Sequence, residues 1–433
     1  MDASFLSAFG FILLLLLNNM RLIYEIAIRL YRSLIIVASL FNPKARGWVK
    51  GRKNIFQSLS GELRNEHDKL AWFHCASLGE FEQGRPIIDA FKTHFPDFKL
   101  LITFFSPSGY EIRKNYPGAD YVFYLPADTR INAFRFYSIV KPDVLFLVKY
   151  EYWYNYLDVL TRNDVPVYVI SGVFRKSQHF FKWYGFWFRK QLRKVNYFFV
   201  QNTESSRLLN RIRITNVMIS GDTRFDRVAE IQSRSTPPDL VSFFSRRAKV
   251  LVAGSTWPVD EALLATIWDR LTENIKLIIV PHEVESAHIE QIMRQFPGIS
   301  VRLSAYNPEL HSHARVLIVD RIGILSAVYR CARVAYVGGG FGKGIHNILE
   351  PAAYGVPVIF GPENRKFLEA QGLRMAGGGF QVEDKNQLLQ ILNEMFFNAL
   401  KYNAACQASK AYIEQQKGAT ANIFKQLHLN IKV

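Results

Sequence analysis

The sequence predicts an α/β protein of two Rossmann-like halves, each a parallel sheet covered on both faces, preceded by an N-terminal membrane-anchoring helix. Three observations predict it. The chain has 433 residues, too many for one ordinary core, so two domains of about 150–200 residues each are expected. Short, continuous apolar runs alternate with helix-length spacers, the pattern of strands buried on both faces. The pattern occurs twice, and the break falls at "QSRSTPPDLVSFFSRRAK", where Ser, Pro and charge accumulate. The expected divisions are an anchor over 1–42, a first domain over 43–232 and a second over 245–433.

The anchor comes first along the chain. "SFLSAFGFILLLLL" is apolar and uncharged over 14 residues, short for a full span. Asp2 stands where a signal peptide carries positive charge, and no small-residue cleavage site follows. In the next stretch Arg21, Glu25, Arg29 and Arg32 recur every three or four residues, which places them on one helical face, with Leu22, Ile23, Ile26 and Leu30 elsewhere. The basic run "NPKARGWVKGRKN" then supplies a cationic collar for anionic lipid. A buried N-terminal hairpin is the alternative.

In the first half the predicted strands are "AWFHCA", "KLLITFF", "YVFYLP", "VLFLV", "PVYVIS", "YFFVQ" and "VMISG". Ligands of such sheets bind beyond the carboxyl ends of the strands, which with two facing sheets predicts a crevice between the halves. Glu80 follows the first run by a few residues, at the start of a helix-like segment. A helix N-terminus favours its ionised form. There it serves either as a base that takes a proton from an attacking hydroxyl or as a helix cap. Farther on, "FFKWYGFWFRKQLRKV" interleaves aromatics with cations and suits either lipid headgroups or a core helix with a basic stripe.

In the second half the runs are "VLVAGS", "KLIIVP", "VLIVD", "VAYVGG", "PVIFG" and "GGFQV". "AYVGGGFGKGIHNILEPAAYGVPVIFGP" is the most informative stretch. An apolar strand enters Gly338, Gly339, Gly340, Gly342 and Gly344, and "HNILEPAAYG" reads as a helix. Such glycines let a backbone approach a ligand, and a helix start offers N–H groups to phosphate. Neither the dinucleotide fingerprint nor a P-loop fits the spacing, which disfavours hydride transfer. Glu350, three residues past Asn347, suits a pair of sugar hydroxyls. Pro281 and His282, Gly323, and Arg224 also follow predicted strands, and each alone is a weak signal.

The net charge of +17 points to an anionic partner. The sequence holds no nucleic-acid-binding module, and its apolar N-terminus argues against nucleic acid. Cys75, Cys331 and Cys406 are far apart, which disfavours a disulfide framework or a zinc site. His, Asp and Glu show no metal-ligand spacing, so no metal or cofactor is expected.

Taken together the motifs resemble the Kdo transferases, glycosyltransferase family 30, which move 3-deoxy-D-manno-octulosonic acid (Kdo) from its CMP ester to a lipid A precursor. The family's "H-x-x-S-x-G-E" is similar to residues 74–80, its "YLP-x-D" to "YLPAD", and its "E-x-W-x-N" to Glu151, Trp153 and Asn155. Its "T-P-S/T-G" resembles "SPSGYE", and its glycine-rich stretch resembles "VGGGFGKGIHNILEPAA". The resemblance runs through nearly the whole chain.

It implies a GT-B fold, with an acceptor domain before a donor domain, and a monotopic enzyme on the cytoplasmic face of the bacterial inner membrane. It also implies inverting, metal-free transfer to lipid IVA in lipopolysaccharide synthesis. Glu80 then becomes the base, and Arg224 a stabiliser of the transition state. CMP contacts fall on Pro281, His282, Ile322, Gly323, Ile324, Asn347, Ile348, Leu349 and Glu350. Two departures stand out. Lys149 replaces a carboxylate common in the family, and it joins the expected catalytic set as a further cation. His282 stands where many members have Arg. A UDP-sugar transferase of the same fold, acting on a lipid or cell-wall precursor, is the rival.

Overall fold

The computed structural model describes residues 20–63, 68–149, 151–271 and 274–430. The leading apolar run of the expected anchor lies outside the described residues. The described chain forms two compact units: the residues up to Arg227 with those from Gly418 onward, and Val228–Lys417. The last segment thus belongs with the first unit, whereas the sequence reading put 245–433 together.

In the first unit the strands are β1 (Leu70–Cys75), β2 (Lys99–Phe104), β3 (Tyr121–Tyr124), β4 (Val144–Val148), β5 (Val167–Gly172), β6 (Tyr197–Val200) and β7 (Val217–Ile219). They pair in parallel in the order β3-β2-β1-β4-β5-β6-β7. β1 and β4, with Phe73 opposite Phe146, form the switch point at which the order reverses. Their side chains are buried throughout, as strands sandwiched between helices must be. Aromatic residues fill this core, and the Phe73 and Phe146 rings stack at 4.6 Å.

In the second unit the strands are β8 (Lys249–Thr256), β9 (Ile275–Pro281), β10 (Ser300–Arg302), β11 (Val316–Ile318), β12 (Val334–Val337), β13 (Val358–Phe360) and β14 (Gly379–Gln381). Their order is β10-β11-β9-β8-β12-β13-β14, again parallel, with the switch between β8 and β12. Both sheets are therefore of the Rossmann-like kind, and the predicted α/β fold class holds. β10 was not among the expected strands. It is an edge strand with one buried residue, Val301, so it carries little apolar signal.

The helix Ala419–Asn430 closes the first unit. Ile423, Phe424 and Leu427 enter the core around Phe91. The Asp226 carboxylate accepts the N–H groups of Gly418 and Thr420, at 2.6 and 2.7 Å, and so fixes the helix start. At the other end of the chain, the helix Met20–Ala38 has no buried residue. Three polar contacts hold it: Arg21 pairs with Asp158 at 3.0 Å, Tyr24 donates to Asp128 at 2.5 Å, and Glu25 accepts the Arg130 N–H at 3.1 Å. Leu22, Ile26, Leu30, Leu34 and Val37 stay exposed. Among the described residues, no helix is long and apolar enough to cross a membrane.

Candidate functional site

Ligands of an open parallel sheet gather at the carboxyl ends of the strands flanking the switch point. In the first unit these are the ends of β1 and β4. After Cys75 the chain turns through Ala76 and Ser77 into the helix Leu78–His94, whose first turn carries Glu80. Ser77 and Glu80 have the spacing of a capping box, yet Ser77 makes no side-chain cap bond. Its hydroxyl instead donates to Glu80 Oε2 at 2.7 Å. Glu80 is buried, only 7% exposed. The carboxylate is held in one orientation by a neighbouring hydroxyl, and its serine partner is not spent on capping.

β4 delivers the second carboxylate. Glu151 follows the strand by three residues, and its carboxyl is pushed up to about 7, first by burial and then by the charge of Glu80. Trp153, two residues on, donates its indole N–H to His74 Nε2 at 3.0 Å. His74 lies wholly buried on β1, and burial pulls its imidazole down to about 3. The ring is therefore neutral. Because Nε2 accepts from Trp153, Nδ1 carries the proton and donates to Thr103 Oγ1 at 2.9 Å. The loops after β1 and β4 are thus tied through buried side chains.

Asp128 braces the β4 loop from behind. Its carboxylate accepts the N–H groups of Asn155 and Tyr156, both at 3.1 Å, and the Tyr24 hydroxyl, while Asn155 donates back to the Asp128 carbonyl. Burial nevertheless raises the Asp128 carboxyl to about 6. Lys149, at the end of β4, adopts a left-handed φ of 74°, uncommon for a residue with a Cβ. Its N–H donates to the Ile170 carbonyl at 2.8 Å.

Arg224 begins the helix Thr223–Arg234 after β7. Asp222 receives its Nε and Nη2 at 2.8 and 2.6 Å, which fixes the guanidinium plane. The adjacent Thr223 donates to the Gln83 carbonyl in the helix of Glu80 and bonds Ser171 at the end of β5. The first unit therefore brings the elements of Glu80, Lys149, Glu151 and Arg224 to one end of its sheet. Sequence reasoning missed Ser77, Asp128, Asp222 and Thr223 as parts of this site. The S-x-x-E spacing was the available signal for Ser77.

The second unit repeats the plan with different groups. Asp260, buried in the first turn of the helix Pro258–Trp268, accepts from Trp257 N and Gly339 N, both at 2.9 Å, and from the Tyr336 hydroxyl at 2.6 Å. It clamps the loop after β8 to the loop after β12. Pro281 ends β9, and the exposed His282 ring stacks on Trp257 and on His346, at centroid distances of 4.7 and 4.4 Å. Trp257 donates to His346 Nε2 at 3.0 Å. Burial, and then His282, lowers the His346 imidazole. Ile322, Gly323 and Ile324 lie in the loop beyond β11; Ile322 is 83% exposed, and Gly323 takes a φ of 90°.

Two expectations need correction here. The helix expected over "HNILEPAAYG" runs only Leu349–Ala353. Pro351 has no N–H to give the Asn347 carbonyl, so the helix cannot start earlier. Ile348 stands at its N-cap and Asn347 before it. Asn347 accepts from Leu349 N at 3.2 Å and donates to Glu350 Oε1 at 2.9 Å, so the pair meets through capping and not along a helical face. The glycines, moreover, serve the protein's own backbone. A Cβ on Gly338 would lie 2.4 Å from the Ser255 carbonyl, and one on Gly340 would lie 2.6 Å from Gly361 N. Gly342 alone in this run stays open, with its nearest neighbour at 3.9 Å.

Among the described residues, no cluster of His, Cys, Asp and Glu could hold a metal ion. The arrangement offers a held carboxylate in one unit and a clamped aromatic and glycine loop in the other. The first suits proton removal, and the second suits a nucleotide-linked ligand.

Comparison with known proteins shows what the chain is similar to. Residues 49–227 match the model of the 3-deoxy-D-manno-octulosonic-acid transferase (kdotransferase) family. A 3-deoxy-D-manno-octulosonic acid transferase of Aquifex aeolicus is 28% identical over 332 residues, covering 75% of this chain and 85% of that one. The Chlamydophila psittaci enzyme of the same name is 25% identical, covering 81% and 82%. A bifunctional glycosyltransferase/methyltransferase of Fusobacterium nucleatum is 26% identical over 95% of this chain, which spans only 64% of that protein's length. Among solved structures, the UDP-GlcNAc 2-epimerase of Neisseria meningitidis has a TM-score of 0.59 at 15% identity, covering 83% of this chain and 99% of that one. The Methanocaldococcus jannaschii epimerase has a TM-score of 0.53 at 14% identity, covering 80% and 99%. At such identities these two share the fold alone.

Proposed function

We infer that the chain belongs to the Kdo transferase family, and on that premise we propose that it transfers Kdo from CMP-Kdo to a lipid A precursor, lipid IVA, with Glu80 as the base. The observation that carries the reading is the Ser77–Glu80 contact at the carboxyl end of β1. A carboxylate fixed in orientation beside a switch point is the group that an attacking hydroxyl needs.

The acceptor hydroxyl oxygen attacks the anomeric carbon of Kdo. Its proton passes to Glu80, the C–O bond to phosphate breaks with its electron pair, and CMP departs. Attack from the face opposite the leaving group inverts the centre. Arg224, oriented by Asp222, and Lys149 stabilise the charge that develops on the phosphate and the Kdo carboxylate. Pro281, His282, Ile322, Gly323, Ile324, Asn347, Ile348, Leu349 and Glu350 contact the CMP portion. The reaction as proposed uses no metal.

The same reading sets the enzyme on the cytoplasmic face of the bacterial inner membrane. The exposed apolar side of the helix Met20–Ala38 and the net charge of +17 support attachment to anionic lipid.

Mass spectrometry of a tetra-acylated lipid A precursor after incubation with CMP-Kdo tests the function. Wild-type protein should add Kdo-sized increments, and Glu80→Gln should nearly abolish them while still binding donor. An unmodified lipid with CMP-Kdo, but a modified one with a UDP-sugar, would overturn the Kdo assignment.

A further inference from the structure

The run "PKARGWVKGRKNIF" folds as two short helices, Pro43–Gly51 and Ile55–Glu62, joined at Asn54 with a left-handed φ of 58°. The turn projects Lys50, Arg52 and Lys53 to one side. Arg32 from the helix Met20–Ala38 and Arg135 from the helix Arg130–Val140 complete the lining of a cavity of about 630 Å³. Five cations line it, and no carboxylate does. Like charges gathered without a counter-charge repel one another, so such a site is stabilised by an anion.

Arg52 gives the cavity a fixed floor. Its guanidinium donates to the carbonyls of Leu125, Trp48 and Phe105, at 2.8, 3.2 and 2.7 Å, and lies 3.9 Å over the Trp48 ring. Burial lowers this guanidinium to about 9. By contrast Arg32, Lys50, Lys53 and Arg135 are exposed.

Two neighbours identify the kind of anion. One rim of the cavity is the helix Met20–Ala38, whose Leu30, Leu34 and Val37 are exposed and apolar. Cations beside an unpartnered apolar helix face match a ligand with an anionic head and hydrocarbon chains. On the other side, the Phe105 ring stacks on Trp153 at 4.8 Å and on Tyr31 at 6.3 Å. Trp153 is two residues from Glu151, whose carboxyl feels Glu80. Arg52, on the cavity floor, thus connects through Phe105 and Trp153 to the loop that carries Glu151. Its volume falls within the roughly 300–1,000 Å³ of small-ligand sites, enough for a sugar as well as its phosphate.

We propose that this cavity binds a phosphate group of the membrane-resident glycolipid acceptor, with Arg32, Lys50, Lys53 and Arg135 as its charge partners and Arg52 as a positioning residue. The proposal rests on the reading of the chain as a glycolipid glycosyltransferase.

The test compares wild type with a Lys50→Ala/Lys53→Ala double variant and with Arg135→Ala. Flotation is measured on vesicles containing a bis-phosphorylated glycolipid and on phosphatidylglycerol vesicles of equal surface charge. Wild type should prefer the glycolipid by about tenfold. The variants should lose at least fivefold of that preference, lose much less on phosphatidylglycerol because Lys44 and Arg46 of the basic run remain, and melt at the wild-type temperature. The KM for the phosphorylated acceptor should rise while the KM for CMP-Kdo holds. Equal losses on both vesicles would reduce the cavity to general membrane attachment and overturn the proposal. So would unchanged binding, the absence of a preference in wild type, or displacement by a soluble hexose phosphate as potent as the lipid. Flotation needs no catalysis, so an inactive wild type that still prefers the glycolipid would sink the transfer reaction and leave the subsite standing.

Discussion

The Trp153 indole N–H donates to Nε2 of the buried His74 at 3.0 Å, and this bond joins the loop after β4 to β1. It makes one unit of two stretches that are 79 residues apart in the chain. His74 reads as a positioning residue. It is neutral, its tautomer is set, and it holds Trp153 against Phe105. Trp153→Phe should leave His74 Nε2 without its donor and let the Glu151 loop shift. The expected cost is about 1–2 kcal/mol of stability and roughly a tenfold fall in kcat/KM. An unchanged shape of the pH–rate profile would mark the effect as positional; a new limb in that profile would give His74 a role in proton transfer.

Glu80→Gln keeps the size of the side chain and the bond from Ser77, and removes the basicity. The transfer rate should fall by about 10²–10⁴-fold, the usual worth of a general base. Ser77→Ala should lower the rate far less, because it frees the carboxylate without removing it. Full activity in Glu80→Gln, measured as Kdo transferred per minute, would return Glu80 to a structural role.

Glu151 titrates near 7 because it is buried beside Glu80. Glu151 changes charge beside the proposed base, so kcat/KM should show a step near pH 7, and Glu151→Gln should flatten that step. Stability runs the other way. The folded value lies above the unfolded 4.5, so the folded state binds more protons in between and loses stability as pH rises from about 4.5 to 7. Glu151→Gln escapes that loss. It should gain on wild type by about 2 kcal/mol between pH 5 and pH 8, read as the difference in melting temperature.

The Tyr24–Asp128 bond ties the N-terminal helix to the brace behind the β4 loop. The Tyr24 donor lowers the Asp128 carboxyl, against burial that raises it. Removing the donor in Tyr24→Phe pushes that carboxyl higher still. The variant should lose about 1 kcal/mol at pH 8, where Asp128 is ionised, and much less at pH 4. Proteolysis between residues 20 and 38 should quicken in parallel. Equal losses at both pH values would mean that the ring packing of Tyr24 on Tyr154, and not its hydroxyl, holds the helix.

These bonds show what a sequence can and cannot display. The other strands of both sheets were legible as short runs of mostly apolar residues; β10 was not, since Val301 stands alone between Ser300 and Arg302. Glu80 could be placed by its distance from a strand end, and Glu151 by the resemblance of its stretch to the family's "E-x-W-x-N". Their coupling could not, because it depends on two loops meeting across β1 and β4. Asp260 was invisible for the same reason: its three donors come from Trp257, Tyr336 and Gly339. The return of the chain at Gly418 also turns on a distant carboxylate, that of Asp226.

The glycine-rich stretch gives the sharpest separation of structural from functional use. Gly340 faces the backbone of Gly361, where a Cβ would come within 2.6 Å of an amide nitrogen, and neither backbone has a flexible end that can yield. Gly340→Ala should therefore cost about 1–3 kcal/mol and lower the melting temperature of the protein by several degrees. Gly342 has nothing closer than the Gly339 carbonyl at 3.9 Å. Gly342→Ala should fold as wild type does. If the loop's open side receives the donor, the added methyl should raise the KM for CMP-Kdo without touching the melting curve. Equal destabilisation by both substitutions would mean that the whole run is a packing device. A normal KM in Gly342→Ala would move the donor away from this part of the loop.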